Sequence, residues 1–204
     1  MRQALSGVFR GLFAVPQVQW SDSHGAFGQH QSVGTLYFSL PYMLKARKCV
    51  VLGSGAGFVP RIALAAQRRL LEEKVIDELD VTLVDANVGI WGLPIYRIAC
   101  DIDPKLKLVK KLTAEAAPMF KDIDYLHIDA DHSYEGVKSD LALYYPRLAQ
   151  QYWAITVHDT DNRAAVEAGL PVGAWEACRD FADEHQLSII NFKIGCGTAL
   201  IMPG

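Results

Sequence analysis

The chain is short of cysteine, of long apolar runs and of net charge. Its four cysteines, Cys49, Cys100, Cys178 and Cys196, are scattered over 204 residues with no CxxC pair. That argues against a thiolate metal clasp, and at this length a core needs no disulfide staples, so reduced buried thiols are expected. No stretch approaches the ~20 apolar residues of a membrane span, so no membrane partner is expected. Residues 1–15 carry Arg2 and Arg10 within an apolar pattern and no clean cleavage site follows, which predicts a peripheral helix rather than a signal peptide. The 20 basic and 23 acidic residues leave a formal charge of −3, giving no electrostatic footprint for nucleic acid. Arg68-Arg69 reads as a solvated helix face. Repeats, low-complexity tracts and linkers are also lacking, so one globular unit in the cytoplasm is the simplest expectation. A homo-oligomer is compatible with the chain.

What is there is an alternation of strand and helix patterns. Short apolar runs at residues 49–52, 81–84, 125–128 and 152–157 read as buried strands, and residues 107–110 as a shorter one. Helical spacing follows in Val59, Ala63, Ala66 and Leu70, with Pro60 suited to a first turn. Residues 114–120 read as a short helix, residues 133–148 as a longer one with Val137, Leu141, Tyr145 and Leu148 inward, and residues 173–185 as another. Residues 187–194 and 198–202, joined through Gly195-Cys196-Gly197, read as a closing hairpin. Residues 29–46 have helical spacing that Pro41 must kink or split. The sum is an α/β chain with a mainly parallel sheet, helices on both faces and an antiparallel finish. Residues 48–204 form the globular unit, and residues 1–47 are expected to be an N-terminal helical and loop segment acting as a lid or pocket wall.

Two features carry chemistry. Gly53-Ser54-Gly55-Ala56-Gly57 joins the first strand to the helix after it, where glycines allow a tight turn and close approach of a ligand to free N–H donors. Phe58 stands where a dinucleotide fingerprint needs its third glycine, which disfavours an NAD-linked dehydrogenase. Asp85 ends the next strand, where an acid accepts hydrogen bonds from ribose hydroxyls. These residues point to nucleoside binding. A purely structural turn would also use glycines.

The second feature is a pair of strands ending in acids. Leu126-His127-Ile128-Asp129-Ala130-Asp131-His132 precedes a helix, and Val157-His158-Asp159 ends the neighbouring strand. Ligands of open α/β sheets bind at the carboxyl ends of strands. Asp129 and Asp159 offer oxygens to a divalent metal such as Mg²⁺, and His158 a nitrogen that favours Mn²⁺, Fe²⁺ or Zn²⁺. Asp131 or His132 is then placed to take a proton from a substrate hydroxyl. Blander roles stand beside these. Asp131 suits a helix cap, His127 a satisfied core position, Asp161-Asn162 a turn or cap, and Glu135 a first-turn acid.

The run Leu126-His127-Ile128-Asp129-Ala130-Asp131-His132-Ser133-Tyr134-Glu135-Gly136-Val137-Lys138-Ser139-Asp140-Leu141 resembles class I S-adenosylmethionine-dependent methyltransferases. The branch it most resembles is the small-molecule O-methyltransferases of macrolide and aminocoumarin sugars, with cephalosporin-hydroxylase-type proteins. The resemblance covers about residues 48–202. It implies a Rossmann-like, doubly wound sheet of seven strands with the last antiparallel, and S-adenosylmethionine as donor. It implies donor contacts at Gly53, Ser54, Gly55, Gly57 and Asp85, a metal at Asp129, His158 and Asp159, and a base at Asp131 with His132 beside it. His158 stands where that branch carries an acid. A hydroxylated small molecule is the implied methyl acceptor. The alternative is a catalytically inactive nucleoside-binding scaffold on the same fold, which would bind donor without turnover.

Overall fold

The computed structural model describes residues 32–53, 57–86 and 104–204. Seven strands run in the order β3-β2-β1-β4-β5-β7-β6. In chain order they are β1 Cys49–Leu52, β2 Val81–Val84, β3 Lys107–Val109, β4 Tyr125–Ile128, β5 Ala154–His158, β6 Ser188–Phe192 and β7 Thr198–Met202. β1 to β5 pair in parallel, while β7 pairs antiparallel with both β5 and β6. This is the expected sheet. The described helices are α1 Leu36–Met43, α2 Phe58–Glu72, α3 Thr113–Ala116, α4 Tyr134–Tyr144, α5 Arg163–Glu167 and α6 Ala174–His185.

Strand alternation divides the core in two. Val50 and Leu52 of β1 join Leu126, Ile128, Ile155 and Val157 beneath α4 and α6. Cys49 and Val51 face the other way, with Tyr125 and Ala154, against α1 and α2. Every β1 and β4 position is buried, because helices cover both faces. Polar side chains on the α1 side pair among themselves: Tyr37 Oη meets Thr198 Oγ1 at 2.7 Å, and Thr156 Oγ1 meets Tyr125 Oη and His127 Nδ1 at 2.8 Å each. His127 is therefore a core histidine, as expected, paired through Nδ1, with the Tyr37 ring edge-on at 5.2 Å.

Local chemistry sets the helix ends. Pro41 lies inside α1, which follows a 3₁₀ turn at Ser32–Thr35. Tyr37 and Leu40 of α1 are buried in the second core, so residues 36–46 of the expected lid segment pack there. Residues 1–31 lie outside the described residues. α4 stops at Tyr144 and passes into a 3₁₀ turn at Tyr145–Arg147, because Pro146 cannot donate an N–H. Tyr144 rather than Tyr145 is consequently the fully buried ring. α5 is an element the apolar spacing does not signal; Asn162 caps it, accepting from the Ala165 N–H at 3.0 Å. Cys49 and Cys178 are free and buried, and Cys196 is free and half-buried. Among the described residues no helix is long and apolar enough to cross a membrane.

Candidate active site

Gly53, Asp85 and Asp129 are the first residues beyond β1, β2 and β4, three neighbouring parallel strands. Ladder bonds continue through them: Gly53 N donates to Val84 O at 2.8 Å, Asp85 N to Val109 O at 3.0 Å and Asp129 N to Leu52 O at 2.8 Å. The sheet thus brings all three to one edge. Gly53 adopts φ +62°, and a Cβ there would collide with the Asp129 carbonyl and stand 2.7 Å from Ala130 Cα. Only glycine lets the ends of β1 and β4 approach so closely. Gly57, at φ +77°, opens α2. Ser54 and Gly55 lie outside the described residues.

Above this edge is a cavity of about 490 Å³, within the range of small-molecule sites. Gly53, Asp85 and Asp129 line it, with Leu112 from the loop after β3, Thr113 from the start of α3, Asp131 from the β4–α4 turn, and Ser139 and Asp140 from α4. Asp131 faces this cavity: its Oδ1 accepts from Ser133 N at 2.9 Å. That bond holds the Asp131 carboxyl below its ordinary range. Gly136 leaves room for the carboxylate, which a side chain at that position would strike. Ser133 is the α4 cap, accepting from Gly136 N at 3.1 Å.

Asp140 is a cavity residue that the sequence reading did not single out. It sits on the apolar stripe of α4 between Val137 and Tyr144, and an acid at a core-facing position was the available signal. Burial, opposed by a hydrogen bond with Thr113 and reinforced by the charge of Asp131, raises its pKa to about 6 from 3.8. The folded state therefore holds this proton more tightly than the unfolded chain. The stabilisation is complete below pH ~4 and is lost as pH rises through about 6. Asp140→Asn is expected to stabilise the donor-free protein at pH 8 by about 1–3 kcal/mol and to leave its stability at pH 4 little changed. Urea unfolding at the two pH values checks this; equal effects at both would contradict it.

The second group of side chains lies where β4 and β5 end. His158 closes β5, and Asp159 follows at φ +60°, a left-handed conformation costly for a residue with a Cβ. Successive strand residues point to opposite faces, and this turn re-aims Asp159 so that both side chains enter one cluster. His158 Nδ1 lies 2.8 Å from Asp129 Oδ1 and 3.2 Å from Asp159 Oδ1. His132 bridges the carboxylates, with Nδ1 2.6 Å from Asp159 Oδ2 and Nε2 3.2 Å from Asp129 Oδ1. The structure thus brings together Asp129, His132, His158 and Asp159, and turns Asp131 toward the neighbouring cavity.

The electrostatics follow from these contacts. Burial lowers the proton affinity of His132, but hydrogen bonds to Asp129 and Asp159 and their charges outweigh it, raising its pKa to about 10. Asp159 is pulled the other way: burial raises its pKa, while the His132 hydrogen bond and both imidazoles bring it below the ordinary range. Beside it, burial and the charge of Asp159 raise the Cys196 thiol to about 11. Asp159 Oδ1 is buried with no aligned hydrogen-bond donor. On its far side a smaller cavity of about 280 Å³ opens, lined by Asp159, Thr160, Trp175 and Asn191 among others. The cluster therefore stands between two cavities, with Asp129 in the wall of one and Asp159 in the wall of the other.

A doubly wound sheet in this strand order, with β7 reversed, is the Rossmann-like fold of the class I S-adenosylmethionine-dependent methyltransferases. The sequence profile of the "Methyltransferase domain" family matches residues 50–160, more than half the chain, and the chain belongs to that family. It is an enzyme of the methyl-transferring type. No curated protein matches the sequence. Among solved structures, it is similar to the S-adenosylhomocysteine-bound methyltransferase PaMTH1 of Podospora anserina, with 9% identity over 100% of this chain and 94% of that one and a TM-score of 0.63. It is similar to the O-methyltransferase TomG of Streptomyces achromogenes, involved in tomaymycin synthesis and bound to S-adenosylmethionine (13% identity, 97% and 95% covered, TM-score 0.62). It is also similar to an O-methyltransferase from Bacillus cereus bound to S-adenosylhomocysteine (13% identity, 99% and 91% covered, TM-score 0.60). At these identities the likeness is one of fold.

Proposed function

We propose that the enzyme moves the methyl group of S-adenosylmethionine to a hydroxyl of a small molecule. The observation that carries this is the His–Asp cluster standing between the two cavities. The larger cavity seats the donor, with the Asp85 carboxylate on the ribose hydroxyls and the Gly53 backbone along the amino-acid portion. The smaller one seats the acceptor, with a hydroxyl presented to the cluster. Methyl transfer is an in-line displacement, so the protein's main contribution is to hold oxygen and methyl in line. The cluster adds the removal of the hydroxyl proton, which raises the oxygen's nucleophilicity. Asp131 and His132 are the two expected proton acceptors. His132 lies within the cluster, where Asp129 and Asp159 keep it protonated at neutral pH, whereas Asp131 lies on the donor side and is ionised.

The cluster fits a divalent metal. Two carboxylates, two imidazoles and the undonated Asp159 Oδ1 form a buried, ligand-rich, anion-biased pocket. Asp129 and His158 would hold such an ion, with Asp159 as the sequence suggests or His132 as the grouping of donor atoms suggests. When bound, it would act as a Lewis acid that lowers the hydroxyl's pKa.

Calorimetry with S-adenosylhomocysteine, followed by radiolabelled methyl transfer to a panel of hydroxylated acceptors, tests this reading. Binding together with transfer to oxygen is expected. Binding with no transfer to any acceptor would favour the inactive scaffold, and no binding at millimolar ligand would overturn the donor site. Asp85→Ala is expected to weaken donor binding about 10- to 100-fold, the loss of hydrogen bonds to a charged group.

A further inference from the structure

The donor atoms of Asp129, His132 and His158 lie within 4.8 Å of one another. Asp129 Oδ1 is 2.8 Å from His158 Nδ1 and 3.2 Å from His132 Nε2. Neighbouring vertices of an octahedron with metal–ligand bonds of about 2.1 Å stand about 3 Å apart. We infer that these three residues form a first-row transition-metal site, two imidazoles and one carboxylate, that takes ions such as Fe²⁺, Co²⁺ or Zn²⁺ in preference to Mg²⁺. The inference rests on the methyl-transfer reading of the same cluster and assigns the class of its metal.

Three observations support it. Mg²⁺ seeks oxygen ligands and sheds water reluctantly, whereas imidazole nitrogens suit borderline dications. Replacing oxygen donors by two imidazoles therefore shifts selectivity. Second, His132 Nδ1 donates to Asp159 Oδ2 at 2.6 Å. A carboxylate behind the second ring nitrogen is how metal-bound histidines are oriented. A dication entering there would displace the proton that His132 Nε2 otherwise shares with Asp129 Oδ1 at 3.2 Å, and would leave Nε2 and Oδ1 facing each other across the ion. Third, Asp159 Oδ1, on a side chain only 8% exposed, lacks an aligned donor and lies 3.2 Å from His158 Nδ1. That uncompensated oxygen on the same side of the cluster supplies charge suited to a dication. On this assignment His132 is a ligand, and the base role the sequence suggests for it passes to other groups.

The test uses the full chain stripped of metal by a chelator. Co²⁺ is titrated while its visible absorption is followed, and Co²⁺ and Mg²⁺ affinities are measured by calorimetry. One Co²⁺ per chain is expected, with new visible bands and affinity about 100-fold or more above that for Mg²⁺. His132→Ala is expected to weaken Co²⁺ binding about tenfold or more and to change the bands. His158→Gln reports the same loss should the first variant fail a thermal-melt check of folding. Asp131→Asn, outside the cluster, is expected to leave Co²⁺ affinity within about threefold. Equal affinity for the two ions, no Co²⁺ binding, or unaltered bands in the folded ligand variants would overturn the inference. S-adenosylhomocysteine titrated into the same samples separates the two readings. Donor binding without Co²⁺ binding removes the metal and leaves methyl transfer standing; the converse removes the donor and leaves the metal.

Discussion

Asp129→Asn is expected to cut methyl transfer by a factor on the order of 10²–10⁴, while the protein stays folded and holds S-adenosylhomocysteine within about tenfold of the unaltered affinity. The substitution keeps the volume of the side chain and removes its charge. Asp129 Oδ1 contacts both His132 and His158 through one atom, whereas Asp159 reaches them through two different oxygens. Its loss removes the shared anchor of any bound cation and one of the two carboxylates that hold the His132 proton. Donor binding depends less on it, because Asp85 and the backbone around Gly53 supply separate contacts to the larger cavity. Single-turnover transfer measured beside calorimetry separates the two effects. Transfer within tenfold of the starting protein would show that the cluster is not where the acceptor is activated. Equal loss of transfer and of donor affinity would assign Asp129 to donor binding alone.

The sheet and the acids on its edge are legible in the sequence because parallel strands buried on both faces appear as short apolar runs. Each such run ends where the ladder ends. The run from Tyr125 to Ile128 stops at Asp129, and the one through Val157 stops at His158-Asp159; the structure places both endings side by side on β4 and β5. The pairing inside the cluster is not legible in that way. Whether His132 or Asp159 lies nearest the other donors depends on rotamers and on the left-handed turn at Asp159. Nothing in local composition signals that turn. α5 is hidden for another reason: five residues, Arg163 to Glu167, with none buried, carry no apolar stripe. Asp140 was readable in principle, since an acid between Val137 and Leu141 on a core-facing stripe breaks the pattern that defines the helix. Such a break is where local rules yield to a site.

Gly53→Ala is expected to cost about 2–5 kcal/mol of stability and to abolish donor binding, whereas Gly169→Ala costs about 1 kcal/mol and leaves the site intact. Both glycines have positive φ, +62° and +67°, so both substitutions carry the penalty of a left-handed backbone. They differ in what a methyl group would meet. At Gly169 nothing lies within 4 Å, while at Gly53 the Asp129 carbonyl and Ala130 Cα occupy the space. Those atoms are backbone at the end of β4 and cannot rotate aside. The ends of β1 and β4 must therefore separate, and with them Gly53 from Asp129 across the cavity. Against a total stability of about 5–15 kcal/mol, the larger cost is visible as a lower urea midpoint at unchanged slope. If Gly53→Ala matched Gly169→Ala in stability and lost only S-adenosylhomocysteine binding, the glycine would serve the donor's approach alone. A large loss of stability in the donor-free protein would place its first role in the close approach of the two strands, on which the relative positions of donor cavity and cluster depend.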